Sequence, residues 1–525
     1  MTNNTSRRRF LKESTLGIAA AAVPAELFPL SASVRAQENR AKTTVPNPNS
    51  KIGLAVIGTG GRAKSHLAYF QKDPRVTILY IVDPDPKRLD SKLIDSIAET
   101  QNGLKPKAVA DMRNALDDNA VDAITCATTN HWHALTGIWA LQAGKHAYLE
   151  KPISHNIYEG LALEAAVKKY KKVIQTGTQC RSNPANIEAV AFVQSGGIGE
   201  VKFARGLCYK RRKAIGALGK YPVPKGIDYN LWSGPAPIID PVTRPNFHYD
   251  WHWQRLYGNG DLGNQGPHQT DIARWHLGLD RFPNAILTYG GRLGYDKENP
   301  DKNNPNYVDA GDTANTEITV YDYGDKCIVF ETRGLQTLPL TIPKAKPDDK
   351  LAGASIGVIV YGSKGYLVQS AYERSAAYDL DGNLIKKFEG GSDASHYKNF
   401  IEAVMAGDPS KVTAPARCGS LSAAMSHLGN ISYYLGEKNK VSVAEVKTAL
   451  KQIKCLDDIE ATVDRTEVHL KTSGVDLTKT PLSMGTLLQY DSTANKFTGE
   501  AAAAANEMLT REYRKPFVVP KPEEV

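Results

Sequence analysis

The first clear pattern along the chain is an apolar run followed by glycines and then an amphipathic segment. Residues 52–57 contain no polar side chain, Gly58-Thr59-Gly60-Gly61 follows, and the next residues predict a helix to about Gln71. A run without polar alternation is typical of a parallel strand buried on both faces. The pattern then repeats, with strands predicted at 76–82, 121–127, 146–149 and 173–176 and helices at 131–143 and 158–170. This alternation predicts an α/β domain with a doubly wound parallel sheet.

The second half of the chain has a different period. Apolar and polar residues alternate in short segments at 317–321, 327–332, 357–361, 366–369 and 377–388, the last with an Asp381-Gly382 turn. Such alternation is typical of antiparallel strands joined by hairpins. We therefore predict a C-terminal α+β domain with an open, mainly antiparallel sheet. The expected divisions are a parallel-sheet domain at 51–178, an α+β domain at 179–437 and an extension with one or two helices at 438–525.

Composition and charge exclude several classes of protein. With 525 residues, of which 41% are hydrophobic and 23% charged, the chain can bury a large core, which excludes a wholly disordered protein. The sequence has no apolar run of the roughly 18 residues that a membrane span needs, so none is predicted. The net charge is +9, but three of these charges lie in residues 1–36, where five basic residues face two acidic ones. The remainder is weakly basic, and no nucleic-acid partner is predicted.

The first 36 residues have the pattern of an export signal. Ser6-Arg7-Arg8-Arg9-Phe10-Leu11-Lys12 precedes a short apolar stretch, and Val34-Arg35-Ala36 resembles a cleavage site. Paired arginines before a modest apolar segment are typical of the twin-arginine route. The alternative is a basic tail beside a short amphipathic helix. We predict a twin-arginine signal peptide at 1–36, a polar linker at 37–50, the export machinery as a partner and a periplasmic or otherwise exported protein.

Neither cysteine nor histidine spacing predicts a metal site. The six cysteines include no Cys-x-x-Cys pair and are expected to be small buried residues. A disulfide is allowed in an oxidising compartment, although no spacing requires one. His248 and His252 are four residues apart, but no third ligand stands at a fitting distance. We therefore predict no metal.

The glycine segment predicts a dinucleotide site. Gly58, Gly60 and Ala63 form a G-x-G-x-x-A pattern between a strand and a helix, which places a pyrophosphate at the helix N-terminus. Asp83 ends the second strand, 25 residues after Gly58, where a carboxylate accepts hydrogen bonds from the adenosine ribose. The alternative for Asp83 is a turn residue. A carboxylate there favours NAD, while Arg88 leaves NADP as an alternative.

Three further segments end predicted parallel strands and so face the same crevice: Thr128-Thr129-Asn130, Glu150-Lys151-Pro152 and Gly177-Thr178-Gln179. Together with the glycine turn, Thr129-Asn130-His131-Trp132-His133 and Gly263–His268, the Glu-Lys-Pro segment resembles the glucose–fructose oxidoreductase/inositol dehydrogenase/rhizopine catabolism family, called Gfo/Idh/MocA. The resemblance covers residues 51–435 and implies a Rossmann domain. It also implies that Lys151 lies beside the nicotinamide and hydrogen-bonds the reacting oxygen. The predicted cofactor contacts are Gly58, Gly60, Gly61, Arg62, Asp83, Thr129, Asn130, His133, Glu150, Lys151 and Gln179.

The resemblance also implies a catalytic histidine. His268 begins a predicted helix that ends before Gly278, and His268 and Asp271 share one helix face. The family has an aspartate four residues before the histidine, whereas this chain has Asn264. An amide orients a histidine but does not stabilise its charged form as a carboxylate does. The predicted catalytic residues are therefore Lys151, His268, Asn264 and Asp271, with Asp261 as another candidate partner for His268.

Aromatic residues near this loop indicate a carbohydrate or cyclitol substrate. Trp251 and Trp253 lie close to His248 and His252, and flat aromatic faces suit the C–H faces of a sugar ring. Core packing is the alternative for some of them. The predicted substrate contacts are Arg181, Trp251, Trp253 and His268. The basic run 210–213 is solvated or edges an anionic sugar site.

Three functions remain open on these residues. The first is an oxidoreductase that transfers hydride between a tightly held nicotinamide cofactor and a sugar, cyclitol or sugar derivative. The second is an NAD-dependent glycosidase that oxidises and eliminates transiently, and the third is a non-catalytic exported sugar-binding protein. The open sheet also offers a surface for a homo-oligomer.

Overall fold

The computed structural model describes residues 51–299 and 306–525. The predicted signal peptide at 1–36 and the linker at 37–50 lie outside the described residues. Within the described ranges the chain forms an N-terminal parallel sheet with helices on both faces and a larger, mainly antiparallel C-terminal sheet. The predicted α/β architecture is confirmed.

The N-terminal domain alternates strands and helices. Its strands are β1 (Ile52–Ile57), β2 (Val76–Val82), β3 (Lys107–Val109), β4 (Ala123–Cys126), β5 (His146–Leu149) and β6 (Ile174–Thr176). Its helices are α1 (Ala63–Phe70), α2 (Ser91–Thr100), α3 (Arg113–Leu116), α4 (His133–Gln142) and α5 (Ile157–Tyr170), with short 3₁₀ turns at Pro86–Arg88, Asn130–Trp132 and Gln179–Ser182. The strand order is β3-β2-β1-β4-β5-β6, and every pairing is parallel.

Both faces of the parallel sheet are buried, which explains the unbroken apolar run of its first strand. Leu54 and Val56 pack on one face with Phe70 of α1, whereas Ala55 and Ile57 pack on the other with side chains of α4 and α5. Because alternate side chains of a strand point to opposite faces, a strand covered on both sides needs apolar residues throughout.

The second sheet begins at β7 and is completed far along the chain. Helices α6 (Pro184–Gln194), α7 (Tyr229–Ser233), α8 (Gly260–Asn264) and α9 (Gly266–Leu277) accompany strands β7 (Val201–Tyr209), β8 (Ala285–Gly291), β9 (Thr316–Asp322) and β10 (Cys327–Arg333), with 3₁₀ turns at Asp250–Trp253 and Asp296–Glu298. There follow β11 (Leu340–Thr341), β12 (Gly353–Ala354), β13 (Ile356–Gly362), β14 (Gly365–Ala371), β15 (Arg374–Asp379) and β16 (Leu384–Glu389). Strands β7 and β10 pair in parallel, and their other neighbours in this sheet are antiparallel.

The last quarter of the chain packs on both sheets. Helices α10 (Asp393–Ala406) and α11 (Ala416–Gly436) are joined through a 3₁₀ turn at Pro409–Lys411. They are followed by β17 (Lys440–Val441), α12 (Val443–Leu450), α13 (Ile459–Thr472), β18 (Leu482–Met484), β19 (Leu488–Asp491), β20 (Lys496–Thr498) and α14 (Ala502–Glu507). Strands β18 and β19 pair with β8, so residues 438–525 extend the large sheet. The expectation of one or two helices in this segment is wrong, because it contains three.

The C-terminal segment also covers a sheet face that was expected to be open. Val446 and Leu450 of α12, with Val463 and Leu470 of α13, pack on apolar side chains of β8, β9 and β10. Part of the surface predicted to carry an oligomer contact is therefore buried by the chain itself. No helix in the described residues combines the length and apolar character needed to cross a membrane.

The final residues pack on the N-terminal domain. The ring of Phe517 lies 5.3 Å from Trp132 and 6.2 Å from Trp139, and the side chain is 1% exposed. Arg514 donates to the backbone oxygens of Asn230 and Ala236, and Arg511 donates to the backbone oxygen of Leu256. The tail thus joins the parallel-sheet domain to the segment 229–257.

We expect Phe517→Ala to destabilise the protein by about 3–5 kcal/mol, because it removes a buried ring between two indoles. Thermal and denaturant unfolding measure the loss. Val518→Ala is the matched control, since Val518 is 42% exposed and its truncation should change little. Equal effects of the two variants would contradict the packing of this tail.

Candidate functional site

The glycine turn after β1 has the geometry of a dinucleotide site. Gly58 has φ +77°, and a Cβ there would lie 2.8 Å from the backbone oxygen of Ala127. Only glycine adopts this conformation without strain at such close approach. Helix α1 begins at Ala63, so its free N–H groups face the turn and suit a pyrophosphate.

Asp83 joins this turn to the end of β2. Its Oδ2 accepts from Thr59 N at 3.0 Å and from Thr59 Oγ1 at 3.2 Å, while its Oδ1 accepts from Asp85 N at 3.0 Å. Burial raises the pKa of Asp83, although these hydrogen bonds oppose the rise. Asp83 lines the cleft, where the ribose contact is predicted, and its carboxylate also accepts hydrogen bonds from the turns at Thr59 and Asp85. Its position is therefore compatible with both roles considered for it.

Glu150 at the end of β5 is a buried carboxylate with three side-chain donors. Its Oε1 accepts from Arg62 Nε at 2.8 Å and Gln179 Nε2 at 3.3 Å, and lies 3.1 Å from His66 Nε2. Burial opposes its ionisation, but the Arg62 guanidinium and His66 outweigh burial and hold the pKa of Glu150 well below its usual range. The predicted cofactor contacts Arg62 and Gln179 therefore meet at Glu150.

Unpaired donors remain in the cleft. Among the described residues, Asn130 Nδ2 and Arg62 Nη2 are buried and have no hydrogen-bond partner, and both residues line the cleft. His133 places Nδ1 2.6 Å from the backbone oxygen of Pro152 and Nε2 3.2 Å from that of Thr128. Buried donors without partners are costly, so these two fit a polar ligand such as a dinucleotide.

Lys151 contacts the second domain directly. Its Nζ donates to the backbone oxygen of Asn264 at 2.7 Å and to Asn264 Oδ1 at 3.3 Å. Burial lowers the pKa of Lys151 to about 8, against the attraction of Glu150, and the nearby cations Arg62, Lys210 and Arg212 lower it further. A lysine with this pKa exchanges a proton near neutral pH.

His268 lies in the first turn of α9 and is 6% exposed. Its ring is 5.0 Å from that of Tyr372, and its Nδ1 has no hydrogen-bond partner among the described residues. Burial and the Lys151 cation hold the pKa of His268 well below its usual range, so the neutral form of the ring is favoured. The Lys151 cation acts on the pKa of His268, but His268 is not among the residues that line the cleft.

The structure gives other partners to the three residues expected to orient His268. Asn264 contacts Lys151, while Asp261 accepts from Arg212 at 2.7 Å. Asp271 accepts from Arg181 at 2.7 Å and from Ser422 Oγ at 2.8 Å. The expectation that Asn264, Asp271 or Asp261 holds the His268 ring is not met, because each side chain is engaged elsewhere.

The two tryptophans predicted to contact the substrate have different positions relative to the cleft. Trp251 lines the cleft, and its indole stacks on His252 at 3.7 Å. Trp253 instead packs under the guanidinium of Arg212 at 5.3 Å. The predicted substrate contact Arg181 is bound to Asp271 and lies outside the cleft lining.

The cleft between the two domains measures about 380 Å³. It contains Gly58, Gly60, Gly61, Arg62, Asp83, Thr129, Asn130, His133, Glu150, Lys151, Trp251 and Asn264. Lys210, Arg212 and His252 also line it, so the basic run 210–213, expected to be solvated or to edge an anionic sugar site, contributes two residues to the cleft. Their distance in sequence from the glycine turn offered no signal beyond the basic and aromatic composition of 205–253. His252 Nδ1 lies 2.5 Å from the backbone oxygen of Tyr249, and burial lowers the pKa of His252 to about 3.

Comparison with known proteins agrees with this geometry. Residues 52–178 match the GFO_IDH_MocA model, described as an oxidoreductase family with an NAD-binding Rossmann fold. The levoglucosan dehydrogenase of Pseudarthrobacter phenanthrenivorans is 27% identical over 248 residues, which are 46% of this chain and 54% of that protein. A glycosyl hydrolase family 109 protein of Shewanella pealeana is 29% identical over 164 residues, 29% of this chain and 35% of that protein. The chain spans about half the length, or less, of these curated relatives.

A solved structure of a levoglucosan dehydrogenase with NADH and levoglucosan has the same fold. It has a TM-score of 0.51 and 18% identity, and the match covers 72% of this chain and 96% of that chain. The glycine turn and the parallel sheet define a dinucleotide-binding Rossmann domain. The match of residues 52–178 to this family model agrees with the predicted NAD-binding Rossmann fold and with NAD as the cofactor.

We expect Asp83→Ala to weaken NAD binding roughly 10- to 100-fold, because charged hydrogen bonds to ribose hydroxyls are lost. NADP should lose less or gain, since the repulsion of its 2′-phosphate is removed as well. Calorimetric titration of both nucleotides checks this, and the NAD-to-NADP ratio corrects for any disturbance of the Thr59 turn. An unchanged ratio would show that Asp83 does not face the ribose.

We expect the Lys151 amine to titrate near pH 8 and Asn264→Asp to raise that midpoint, because a carboxylate at 3.3 Å favours the ammonium form. Labelling with acetic anhydride at a series of pH values, read by peptide mass spectrometry, measures it. Exposed Lys64 is an internal control whose labelling should not change. If the variant leaves the Lys151 midpoint in place, residue 264 does not act on this amine.

Proposed function

We propose that this protein is an exported NAD-dependent oxidoreductase that acts on a sugar, a cyclitol or a sugar derivative. The observation that carries the proposal is the position of Lys151, whose ammonium lies in the same cleft as the glycine turn and contacts the second domain through Asn264. The resemblance to levoglucosan dehydrogenase supports the substrate class.

When NAD is bound it supplies the acceptor or donor of a hydride from a carbinol carbon. The Lys151 ammonium stabilises the charge that develops on the substrate oxygen. The neutral His268 ring is the candidate acceptor of the hydroxyl proton, and its low pKa suits transient rather than permanent protonation. The stacked pair of Trp251 and His252 offers a flat face to a sugar ring.

Export and a tightly held cofactor belong together in this proposal. The twin-arginine pattern of residues 6–12 is typical of proteins that cross a membrane already folded. A free nucleotide is scarce outside the cytoplasm, so an exported NAD enzyme must carry its own. His248 lies 3.2 Å from Asp85, and Asp228 N donates to the backbone oxygen of Pro84. The segment 210–257 thus covers the cleft at the end of β2, which supports retention.

The alternative function is an NAD-dependent glycosidase that oxidises its substrate transiently. The similarity to a glycosyl hydrolase family 109 protein favours it as the second candidate. The same Lys151 and His268 would serve both reactions, so the overall redox balance separates them. A glycosidase turns over repeatedly without an external oxidant, whereas an oxidoreductase stops after one turnover unless its cofactor is regenerated.

We expect protein purified from an export-competent host to release NAD(H) on denaturation, because the covered cleft retains the nucleotide. The ultraviolet spectrum before and after addition of sugars and carbonyl compounds shows whether bound NADH forms or is discharged. An Arg7→Lys, Arg8→Lys variant is the export control, since it should remain in the cytoplasm. Purified protein with no releasable nucleotide would contradict retention.

We expect Lys151→Met to retain fold and nucleotide while turnover falls by roughly 100-fold or more, because the lost cation acts mainly in the transition state. Steady-state rates, the released nucleotide and the melting temperature are measured together. Lys64→Met, at an exposed position, is the matched control and should behave as the unmodified protein. Full activity in Lys151→Met would remove the lysine from the mechanism.

A further inference from the structure

The substrate end of the cleft carries more positive charge than the chain neutralises. Lys151, Lys210 and Arg212 line this end. Arg212 is paired with Asp261, and Lys151 donates to neutral oxygens of Asn264. Lys210 lies directly after β7 and is partly buried, and its ammonium group has no ion pair or hydrogen bond among the described residues. Two ammonium groups therefore share this end without a carboxylate partner of their own.

The carboxylates that line the cleft are committed elsewhere. Glu150 is bound by Arg62, Asp111 is paired with Arg113, and Asp83 holds the Thr59 turn at the end of β2. A partly buried ammonium without an anion is unfavourable, since it has lost solvation without gaining a counter-charge. An anionic group on the ligand would supply that charge.

We propose that the substrate carries a carboxylate, as a hexuronate does, and that Lys210 binds this group beside Lys151. The proposal rests on the proposed function and specifies its substrate class. Arg212 is held between Asp261 and the indole of Trp253, so its charge is already paired. A neutral sugar leaves Lys210 unpaired and should bind more weakly.

Calorimetry on the NADH-loaded protein tests this without requiring turnover. D-glucuronate and D-galacturonate are compared with D-glucose and D-galactose. We expect tighter binding of at least one hexuronate than of its matching hexose, and Lys210→Met should reduce that preference roughly 10- to 100-fold. Lys213→Met, an exposed neighbour in the same basic run, should leave it unchanged.

Two results would overturn the carboxylate site: equal or tighter binding of the hexoses, or a preference that survives Lys210→Met. Steady-state assays with the same four sugars judge the proposed function separately. Lys210-dependent hexuronate binding without oxidation or reduction of any sugar would contradict the oxidoreductase and still support the carboxylate site.

A second, independent feature is a pair of cysteines far apart in sequence. Cys327 begins β10 and Cys455 lies between α12 and α13, yet their Sγ atoms are 3.4 Å apart. Cys327 is buried, whereas Cys455 is partly exposed. The hydrogen bond from Cys327 lowers the pKa of the Cys455 thiol. A disulfide needs sulfur atoms about 2.05 Å apart, so a small approach is sufficient.

We infer that Cys327 and Cys455 form a disulfide when the protein meets a disulfide oxidant. The Cys455 thiolate attacks one sulfur of the oxidant and releases its first thiol. The Cys327 thiolate then attacks Cys455 Sγ in the mixed disulfide and releases the second thiol. The two cysteines lose two electrons and two protons, which the two released thiols carry. The bond joins the C-terminal segment to the central strand β10.

Treatment of the folded protein with oxidised glutathione, followed by trapping of free thiols, tests this bond. We expect the mass of the protein to fall by that of two hydrogen atoms, a cross-linked peptide containing both cysteines, and a higher melting temperature. Cys455→Ser should abolish all three changes, whereas Cys418→Ser should abolish none. Free Cys327 and Cys455 after oxidation, or a different cross-link, would overturn the inference.

Discussion

The buried carboxylate of Glu150 holds together the parts of the molecule that form the cleft. It accepts from Arg62 at the start of α1, and Arg62 also donates to Asp393 at the start of α10 at 2.8 Å. A buried charge is tolerated only when it is paired and hydrogen-bonded, so these elements must meet around it. The next residue is Lys151, and its position beside Asn264 follows from the way Glu150 is fixed.

This arrangement explains why the cleft is electrostatically asymmetric. At the nucleotide end, Asp83 and the glycine turn are connected by short hydrogen bonds. At the other end, burial, assisted by neighbouring cations, lowers the pKa of Lys151 to about 8 and holds the pKa of His268 well below its usual range. In the proposed alcohol–carbonyl interconversion, Lys151 would stabilise charge on the substrate oxygen and His268 would exchange a proton with it.

The C-terminal segment shows how a fold depends on residues whose own sequence carries no motif. Residues 438–525 add strands to the large sheet and helices to its outer face, and their last residues pack on Trp132 of the Rossmann domain. Short strands without strong alternation are hard to predict, because their pairing with β8 rather than their composition stabilises them. The segment was therefore expected to be an appendage, yet it is part of both domains.

The sequence by itself determined the parallel sheet, the glycine turn and the placement of Asp83, Glu150 and Lys151 at strand ends, since these depend on local spacing and on the periodicity of apolar residues. It also determined the helix that carries His268. Only the tertiary structure decided which side chains meet. Asn264 contacts Lys151 rather than His268, Asp271 pairs with Arg181, and Trp253 lies under Arg212. Lys210 reaches the cleft, and its ammonium has no partner in the described part of the chain. These contacts depend on how the two domains pack against one another. Buried charges are stable only when they are paired, and the distance between two residues in sequence does not show which pairs will form.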